Sequence, residues 1–220
     1  MSITQNLNSV RETIADHVTL VAVSKTKPNA DIMEAYDAGQ RDFGENKVQD
    51  LAAKAAELPN DIRWHMIGHV QTNKIKYFAP FVHLVHGVDR EKVLKELNKE
   101  ARKNERVIDC LLQVHIAQEQ TKFGFDESEM HALFEKDLPA LYPHVRIRGL
   151  MGMATFTDDQ TQVRAEFKVL KKRFDQLRTD LQLAAFNILS MGMSGDYQMA
   201  IEEGSTMVRV GTSIFGARNY

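Results

Sequence analysis

Three segments of the chain contain residue types that could do chemistry together. Lys25 follows the apolar run 18–23 in VTLVAVSKTKP, and a lysine amine placed there could form a Schiff base with an aldehyde. Two glycine-bearing segments lie far downstream, SMGMSGD at 190–196 and RVGTSIFG at 209–216. Glycine lets a phosphate approach the backbone closely, and the last segment also carries the cation of Arg209. An amine, a phosphate cradle and a cation together suit pyridoxal 5′-phosphate (PLP).

Lys25 is predicted to stand at the C-terminal end of a buried strand. Val21, Val23 and Lys25 share one face of that strand, because side chains alternate with period two. Apolar walls around the lysine would remove water from it and favour the neutral amine, which is the form that attacks an aldehyde. The alternative is a solvated lysine in a polar turn, since the letters KTKP are typical of a strand-to-loop exit.

The two downstream segments predict a phosphate site. Ser194, Gly195 and Asp196 stand where a helix is predicted to begin, which leaves backbone N–H groups available to an anion. The alternative is that Ser194 or Asp196 simply caps this helix. Gly211 and Thr212 offer further backbone donors and a hydroxyl group.

Arg209 is predicted to point into the same region from below. It shares strand parity with Gly211 and lies two residues deeper, about 6–7 Å along the strand. A buried guanidinium without a partner is costly, so it needs an acceptor such as a ring nitrogen or a carboxylate. An internal ion pair is therefore the alternative to a ligand contact.

Apolar, β-branched runs alternate with helical patterns, which predicts an α/β fold with a parallel sheet and helical crossovers. The predicted strands are 18–25, 42–45, 63–68, 81–88, 107–116, 146–154, 186–192 and 207–215. The predicted helices are 30–38, 47–58, 72–78, 90–104, 127–135, 161–181 and 197–203, with an extra N-terminal helix at 4–15. Eight strands in 220 residues favour a single (β/α)₈ TIM barrel with its site on the loops after the strands. The competing fold is a doubly wound sheet, whose dinucleotide-binding form is weakened by the lack of an early G-x-G-x-x-G turn.

Composition bounds the function further. The 28 Lys and Arg against 30 Asp and Glu leave a formal charge of −2, so nothing favours binding to nucleic acid or to a membrane. We expect one domain over residues 1–220, without a signal peptide or a membrane span. The single cysteine, Cys110, is predicted to be a buried strand thiol in a cytoplasmic protein. The eight histidines show no metal-ligand spacing, and no G-x-S-x-G elbow occurs.

Six segments resemble those of the YggS/PROSC family of PLP homeostasis proteins, whose fold is similar to the alanine racemase N-terminal domain. They are VAVSKTKP, DFGENKVQ, WHMIGHVQTNK, RGLMGMATF, SMGMSGDYQMAI and EEGSTMVRVGTSIFGARNY, and they span nearly the whole chain in order. One departure is GHVQTNK, where the family more often has Pro or Ser-Leu near His69 and Val70. This departure alters a loop at the mouth of the predicted site.

The resemblance implies a barrel that holds PLP as an internal aldimine on Lys25, with Arg209 at the pyridine nitrogen. It further implies that the pocket is completed by Ser194, Gly211 and Thr212 at the phosphate and by Asn46 on the wall. Lys27 and Lys122 correspond to lysines near the site or on its rim that help PLP to move. The implied role is intracellular PLP (vitamin B6) homeostasis, in which PLP is held and supplied to dependent apoenzymes with little or no catalytic turnover.

Two other functions are compatible with the same residues. A weak PLP-dependent amino-acid racemase would use Lys25 as a proton shuttle, but it needs a second acid/base group placed by something beyond this barrel. A cation at the pyridine nitrogen also opposes protonation of the ring and makes it a poorer electron sink. A phosphosugar-binding barrel would use the phosphate cradle without a Schiff base. We expect a monomer, since an intact barrel with a polar surface is compatible with one.

Overall fold

Eight parallel strands close into a barrel in the computed structural model of the chain, which describes residues 2–117, 123–181 and 185–217. Each strand pairs with the next along the chain, and β8 pairs back with β1. The strands are β1 Thr19–Val23, β2 Asp42–Glu45, β3 Arg63–Met66, β4 Leu84–Val88, β5 Ile108–Gln113, β6 Val145–Met151, β7 Ile188–Met193 and β8 Met207–Val210. The predicted (β/α)₈ barrel is thereby confirmed. The competing doubly wound sheet is wrong, because this sheet closes on itself.

Helices connect and flank the strands. They are α1 Ile3–Glu12, α2 Asn29–Asp37, α3 Val48–Glu57, α4 Glu91–Lys103, α5 Glu127–Phe134, α6 Leu138–Leu141, α7 Gln160–Leu181, α8 Tyr197–Glu202 and α9 Thr212–Phe215. The predicted extra N-terminal helix is α1. Its start is stabilised by a capping box, in which Ser2 Oγ accepts from the Gln5 N–H and the Gln5 side chain accepts from the Ser2 N–H. The segment predicted as a helix at 72–78 is a 3₁₀-helix at Thr72–Tyr77, and α6 was not predicted.

Two strand predictions that bear on the site were too long. β1 ends at Val23, so Lys25 lies in the turn after the strand. β8 ends at Val210, and residues 212–215, predicted as strand, form α9. This helix is held by tertiary contacts with α1, since Asn6 Nδ2 donates to Ile214 O (3.0 Å), whereas its β-branched letters are typical of a strand. The shared strand parity of Arg209 and Gly211 is therefore wrong, because Gly211 lies beyond β8.

The apolar core has two parts. The larger one packs helices against the strands and includes the predicted stripe of α7, where Val163, Phe167 and Leu170 are buried. The smaller one fills the barrel interior with Val21, Leu84, Leu111, Met151 and Met207. Polar side chains of the strands are also buried, among them His65, His86, Ser190 and Arg209. The interior is thus a packed mixture of apolar and polar groups.

The remaining expectations about solvent and membrane contact concern single features. Cys110 is a buried, unpaired thiol on β5, as predicted, and burial raises its pKa. The charge-rich α4 keeps Val93, Leu94 and Leu97 fully buried. Within the described ranges, no helix combines the length and the apolar character that crossing a bilayer requires.

Candidate cofactor site

A cavity of about 530 Å³ opens at the mouth of the barrel where the strands end. All six predicted site residues line it, namely Lys25, Asn46, Ser194, Arg209, Gly211 and Thr212. Lys27 lines it as well, whereas Lys122 lies outside the described residues. The closed barrel therefore brings together groups that are up to 187 positions apart in the chain (from 25 to 212).

Lys25 occupies a tight turn at this cavity. The Lys27 N–H donates to Ser24 O (3.0 Å), which closes a four-residue turn with Lys25 and Thr26 at its centre. Thr26 has a φ of 65°, in the left-handed region that a β-branched residue rarely adopts. Val23 lines the cavity together with Lys25, so the shared face predicted from the sequence continues past the end of β1.

A buried ion pair supports this turn. Lys54 Nζ donates to Glu45 Oε1 (2.7 Å) and to Ser24 O (2.9 Å), and Ser24 Oγ donates to the same carboxylate oxygen (2.6 Å). Burial raises the pKa of Glu45, although the hydrogen bonds from Lys54 and Ser24 act in the opposite direction. The sequence analysis missed this pair. The available signal was the position of Lys54, three residues after the buried Leu51 on the inner face of α3.

Arg209 lies under the cavity and is only 4% exposed. Its Nη1 donates to Ser190 O (2.9 Å) and Ser190 Oγ (2.6 Å), and its Nη2 donates to Gly152 O (3.1 Å). All three acceptors are uncharged, so the internal ion pair offered as an alternative does not occur among the described residues. Burial lowers the pKa of Arg209 to about 10, against a smaller opposing effect of the Asp196 charge. The guanidinium thus remains a cation at neutral pH.

The phosphate side of the cavity is built from two loops that meet. The Gly211 N–H donates to Ser194 Oγ (3.0 Å), which joins the loop after β7 to the loop after β8. A Cβ on Gly211 would lie 3.2 Å from Val23 O, so glycine allows the loop after β8 to approach the end of β1 closely. Neither Ser194 nor Asp196 caps α8 through its side chain, because Asp196 Oδ1 instead accepts from the Met193 N–H (2.6 Å). The capping alternative is thus confirmed only for position, since Asp196 is the N-cap residue of α8 but makes no side-chain cap hydrogen bond.

A bulge in β7 sets the position of this loop. Ser190 pairs with Met207, yet Met193 pairs with Arg209, so β7 has one residue more than β8 over this stretch. Gly192 accommodates the bulge with a φ of 97°. A Cβ there would also lie 2.6 Å from the Ala200 side chain.

The rim of the cavity is formed by the loops after β2, β3 and β5. The His69 ring stacks on Phe123 with 4.0 Å between ring centroids, and His69 Nδ1 lies 2.8 Å from Asp89 Oδ2. Asn46 is held against the next loop, since a Cβ on Gly68 would meet Asn46 O at 2.3 Å. The loop that departs from the family pattern therefore contributes His69 directly to the cavity wall.

Lys27 has a structural role in addition to lining the cavity. Its Nζ donates to Phe215 O (2.7 Å) and Ala217 O (2.9 Å), the carbonyl groups at the end of α9. A lysine in this position stabilises a helix C-terminus and ties the loop after β1 to the segment after β8.

The residues present fit PLP. The cavity has the volume of a small-ligand site. A primary amine stands on one wall, the hydroxyl and backbone groups of the two joined loops stand on another, and a buried cation lies beneath. The amine suits an aldehyde, the hydroxyl and backbone N–H groups suit a phosphate, and the cation suits an aromatic nitrogen.

Comparison with known proteins agrees with this fold and with PLP as the cofactor. The family described as "Alanine racemase, N-terminal domain" matches residues 1–219. The chain is 40% identical over 233 residues to the pyridoxal phosphate homeostasis protein of Pasteurella multocida (100% of this chain, 99% of that protein) and 41% identical over 202 residues to that of Aquifex aeolicus (91% and 87%).

Among solved structures, PipY of Synechococcus elongatus PCC7942 is 37% identical and covers 98% of this chain and 100% of its own. The TM-score is 0.91 for the structure without PLP and 0.88 for the structure with PLP bound. The chain therefore belongs to the alanine racemase N-terminal domain family, and within it to the group of the pyridoxal phosphate homeostasis proteins.

Proposed function

We propose that the protein binds PLP in this cavity through a Schiff base on Lys25. The neutral amine of Lys25 would add to the aldehyde carbon of PLP, and the carbonyl oxygen would leave as water, giving the C=N bond. The observation that carries the proposal is that Lys25 lines the same cavity as a buried arginine cation, whose hydrogen-bond partners among the described residues are uncharged. The PLP-bound structure of PipY supports it.

The other cavity residues have separate roles in this proposal. Ser194, Gly211 and Thr212 bind the phosphate, and Asn46 contacts the ring from the wall. Arg209 faces the pyridine nitrogen. A cation at that place opposes protonation of the ring, because two positive charges would then lie within hydrogen-bond reach. An unprotonated ring withdraws electrons poorly, which favours holding PLP over catalysing reactions with it.

We further propose that the protein acts in PLP homeostasis, with little or no catalytic turnover. Its curated relatives are named for homeostasis rather than for an enzymatic activity. The recipients would be PLP-dependent apoenzymes in the cytoplasm, and the protein would act as a monomer. The single buried thiol is suited to a reducing compartment.

The test is chemical mapping of the PLP attachment. We expect PLP to produce a Schiff-base absorption band, and borohydride reduction followed by peptide mass analysis to place the label on Lys25. The variant Lys25→Ala should lose the band. The control Lys27→Ala should keep the label on Lys25, although Lys27 lines the same cavity.

Two outcomes would contradict the proposal. A label scattered over surface lysines would refute the attachment site, and a ligand response that survives in Lys25→Ala would favour a phosphosugar barrel. Exchange of amino-acid α-protons with solvent D₂O, catalysed by the PLP-loaded protein, would favour the racemase instead.

A further inference from the structure

A continuous chain of hydrogen bonds crosses the barrel interior from its N-terminal mouth to Arg209. Arg209 Nη1 lies 2.6 Å from Ser190 Oγ, which lies 3.2 Å from His86 Nδ1. His86 Nε2 lies 2.9 Å from His65 Nδ1, and His65 Nε2 lies 3.0 Å from Asp42 Oδ1. Each of the five residues comes from a different strand, β8, β7, β4, β3 and β2. All five are buried.

The chemistry of the end groups allows every hydrogen bond in this series to be donated in the direction from Arg209 to Asp42. Arginine has donors only, so Ser190 Oγ must accept from Arg209 and can use its own hydrogen toward His86 Nδ1. His86 then carries its hydrogen on Nε2 and donates to His65 Nδ1. His65 in turn carries its hydrogen on Nε2 and donates to the carboxylate of Asp42. In this arrangement both imidazoles carry a hydrogen on Nε2, and each donor has an acceptor.

The charges around the chain agree with this direction. Burial, and further the positive charge of Arg209, lowers the pKa of His86 well below its usual value, so this imidazole stays neutral. At the far end, burial alone would raise the pKa of Asp42, but hydrogen bonds from Arg63 and His65 outweigh it and hold the pKa well below its usual range. A carboxylate thus terminates the chain at one mouth of the barrel and a guanidinium terminates it at the other.

We infer that Ser190, His86, His65 and Asp42 are positioning residues for Arg209, which together orient its guanidinium and relay the negative charge of Asp42 toward it. This effect on the cofactor rests on the proposed function. Arg209 touches no carboxylate among the described residues. Its shortest hydrogen bond is the one to the hydroxyl oxygen of Ser190. Ser190 is oriented by His86, and His86 by His65. The electronic state of the PLP ring is thereby coupled to a carboxylate at the opposite mouth of the barrel.

The same groups would be poor ligands for a metal ion. Asp42, His65 and His83 do place potential ligand atoms within 4.8 Å of one another. However, Arg63 donates to both oxygens of Asp42 (2.8 and 2.5 Å). Both ring nitrogens of His65 already form hydrogen bonds, one to His86 and one to Asp42. A cation would have to displace these bonds.

The first measurement is made on the protein without PLP. Long-range ¹H–¹⁵N NMR spectra distinguish protonated from unprotonated ring nitrogens, and the variants His65→Gln, His86→Gln and His83→Gln assign the signals. We expect His65 and His86 to carry a hydrogen on Nε2, and we expect Nδ1 of His86 to be unprotonated. A hydrogen on Nδ1 of His86, or a cationic His86, would overturn the inference whether or not PLP binds to Lys25.

The second measurement compares matched variants. Ser190→Ala removes a charge-assisted hydrogen bond from Arg209, and we expect PLP to dissociate about tenfold faster. The matched control is Ser205→Ala, which removes a buried hydroxyl that bonds only to backbone groups. Asp42→Asn should shift the His65 and His86 nitrogen signals and speed PLP dissociation about threefold. Its control is Asp109→Asn, a carboxylate likewise paired with arginines, Arg146 and Arg148.

Equal effects of Asp42→Asn and Asp109→Asn on both readouts would refute the relay and leave only a contribution of general stability. If PLP does not attach to Lys25, the dissociation rates lose their meaning, but the nitrogen signals of the variants still decide whether the relay exists.

Discussion

Replacing Lys54 with methionine should destabilise the fold by about 3–5 kcal/mol at neutral pH, because it leaves a buried carboxylate without its cation. The side chain of Glu45 has no exposed surface and that of Lys54 is only 10% exposed. Methionine preserves most of the length and apolar contact of the lysine stem. After the substitution, Glu45 would retain only the hydrogen bond from Ser24 Oγ (2.6 Å). The loss is therefore mainly electrostatic.

The loss should depend on pH, with a sign that follows from the pKa of Glu45. Burial already raises this pKa above the usual value of a glutamate, and removal of the Lys54 cation raises it further. Between the unfolded and the folded pKa, the folded variant binds one proton more than the unfolded chain. Its free energy of unfolding should then fall by about 1.4 kcal/mol for each unit of rising pH. The variant is least stable in alkali and recovers as the pH falls toward the unfolded pKa.

Urea denaturation followed by circular dichroism, from about pH 5 to about pH 8, measures both quantities. The control is the double variant Lys54→Met with Glu45→Gln, in which neither member of the pair is charged. It should regain much of the stability and lose the additional pH slope. A destabilisation by Lys54→Met of less than about 1 kcal/mol at pH 8, or one that does not change with pH, would refute the reasoning. It would mean that water reaches Glu45.

Two further predictions concern single residues. Thr26→Gly should raise the free energy of unfolding by about 1 kcal/mol, because the strain of the left-handed φ of 65° that glycine relieves is larger than the backbone entropy that glycine loses on folding. The control Thr26→Ala should keep the strain, and equal stability of the two variants in urea would contradict this prediction. Cys110 should react with a thiol reagent only at the rate of global unfolding, since it is fully buried and burial raises its pKa; rapid stoichiometric reaction of the native protein would show that β5 opens locally.

The barrel and the order of its strands could be predicted from the sequence, because both depend on local patterns. Alternation of apolar runs with helical periods is visible residue by residue and specifies eight parallel strands. The rule that sites gather where strands end then selected Lys25 and Arg209, which do line one cavity. That residues 1–220 form one domain stays a prediction, as do the roles of the cavity residues in binding.

The contacts that hold these two residues could not be predicted, since they join positions that are distant in sequence. Parity tells which face of a strand a residue occupies, but it does not identify the partner across the barrel. His65 and His86 are 21 positions apart, and His86 and Ser190 are 104 apart, so a search for histidines at short metal-ligand spacing could not find their contacts. The end of β8 was misplaced for a similar reason, because α9 depends on packing against α1.

The bulge in β7 has a consequence for how this chain can vary in length. Deleting one residue at Gly192 would remove the extra residue between Ser190 and Met193, and it would shorten the path from β7 to the loop that carries Ser194. Ser194 would then lose its approach to Gly211, while the strand itself would become more regular. Insertions and deletions should therefore be tolerated in the loops outside the barrel but not between Ser190 and Met193. A redesign that makes β7 a regular strand would therefore remove part of the candidate cofactor site.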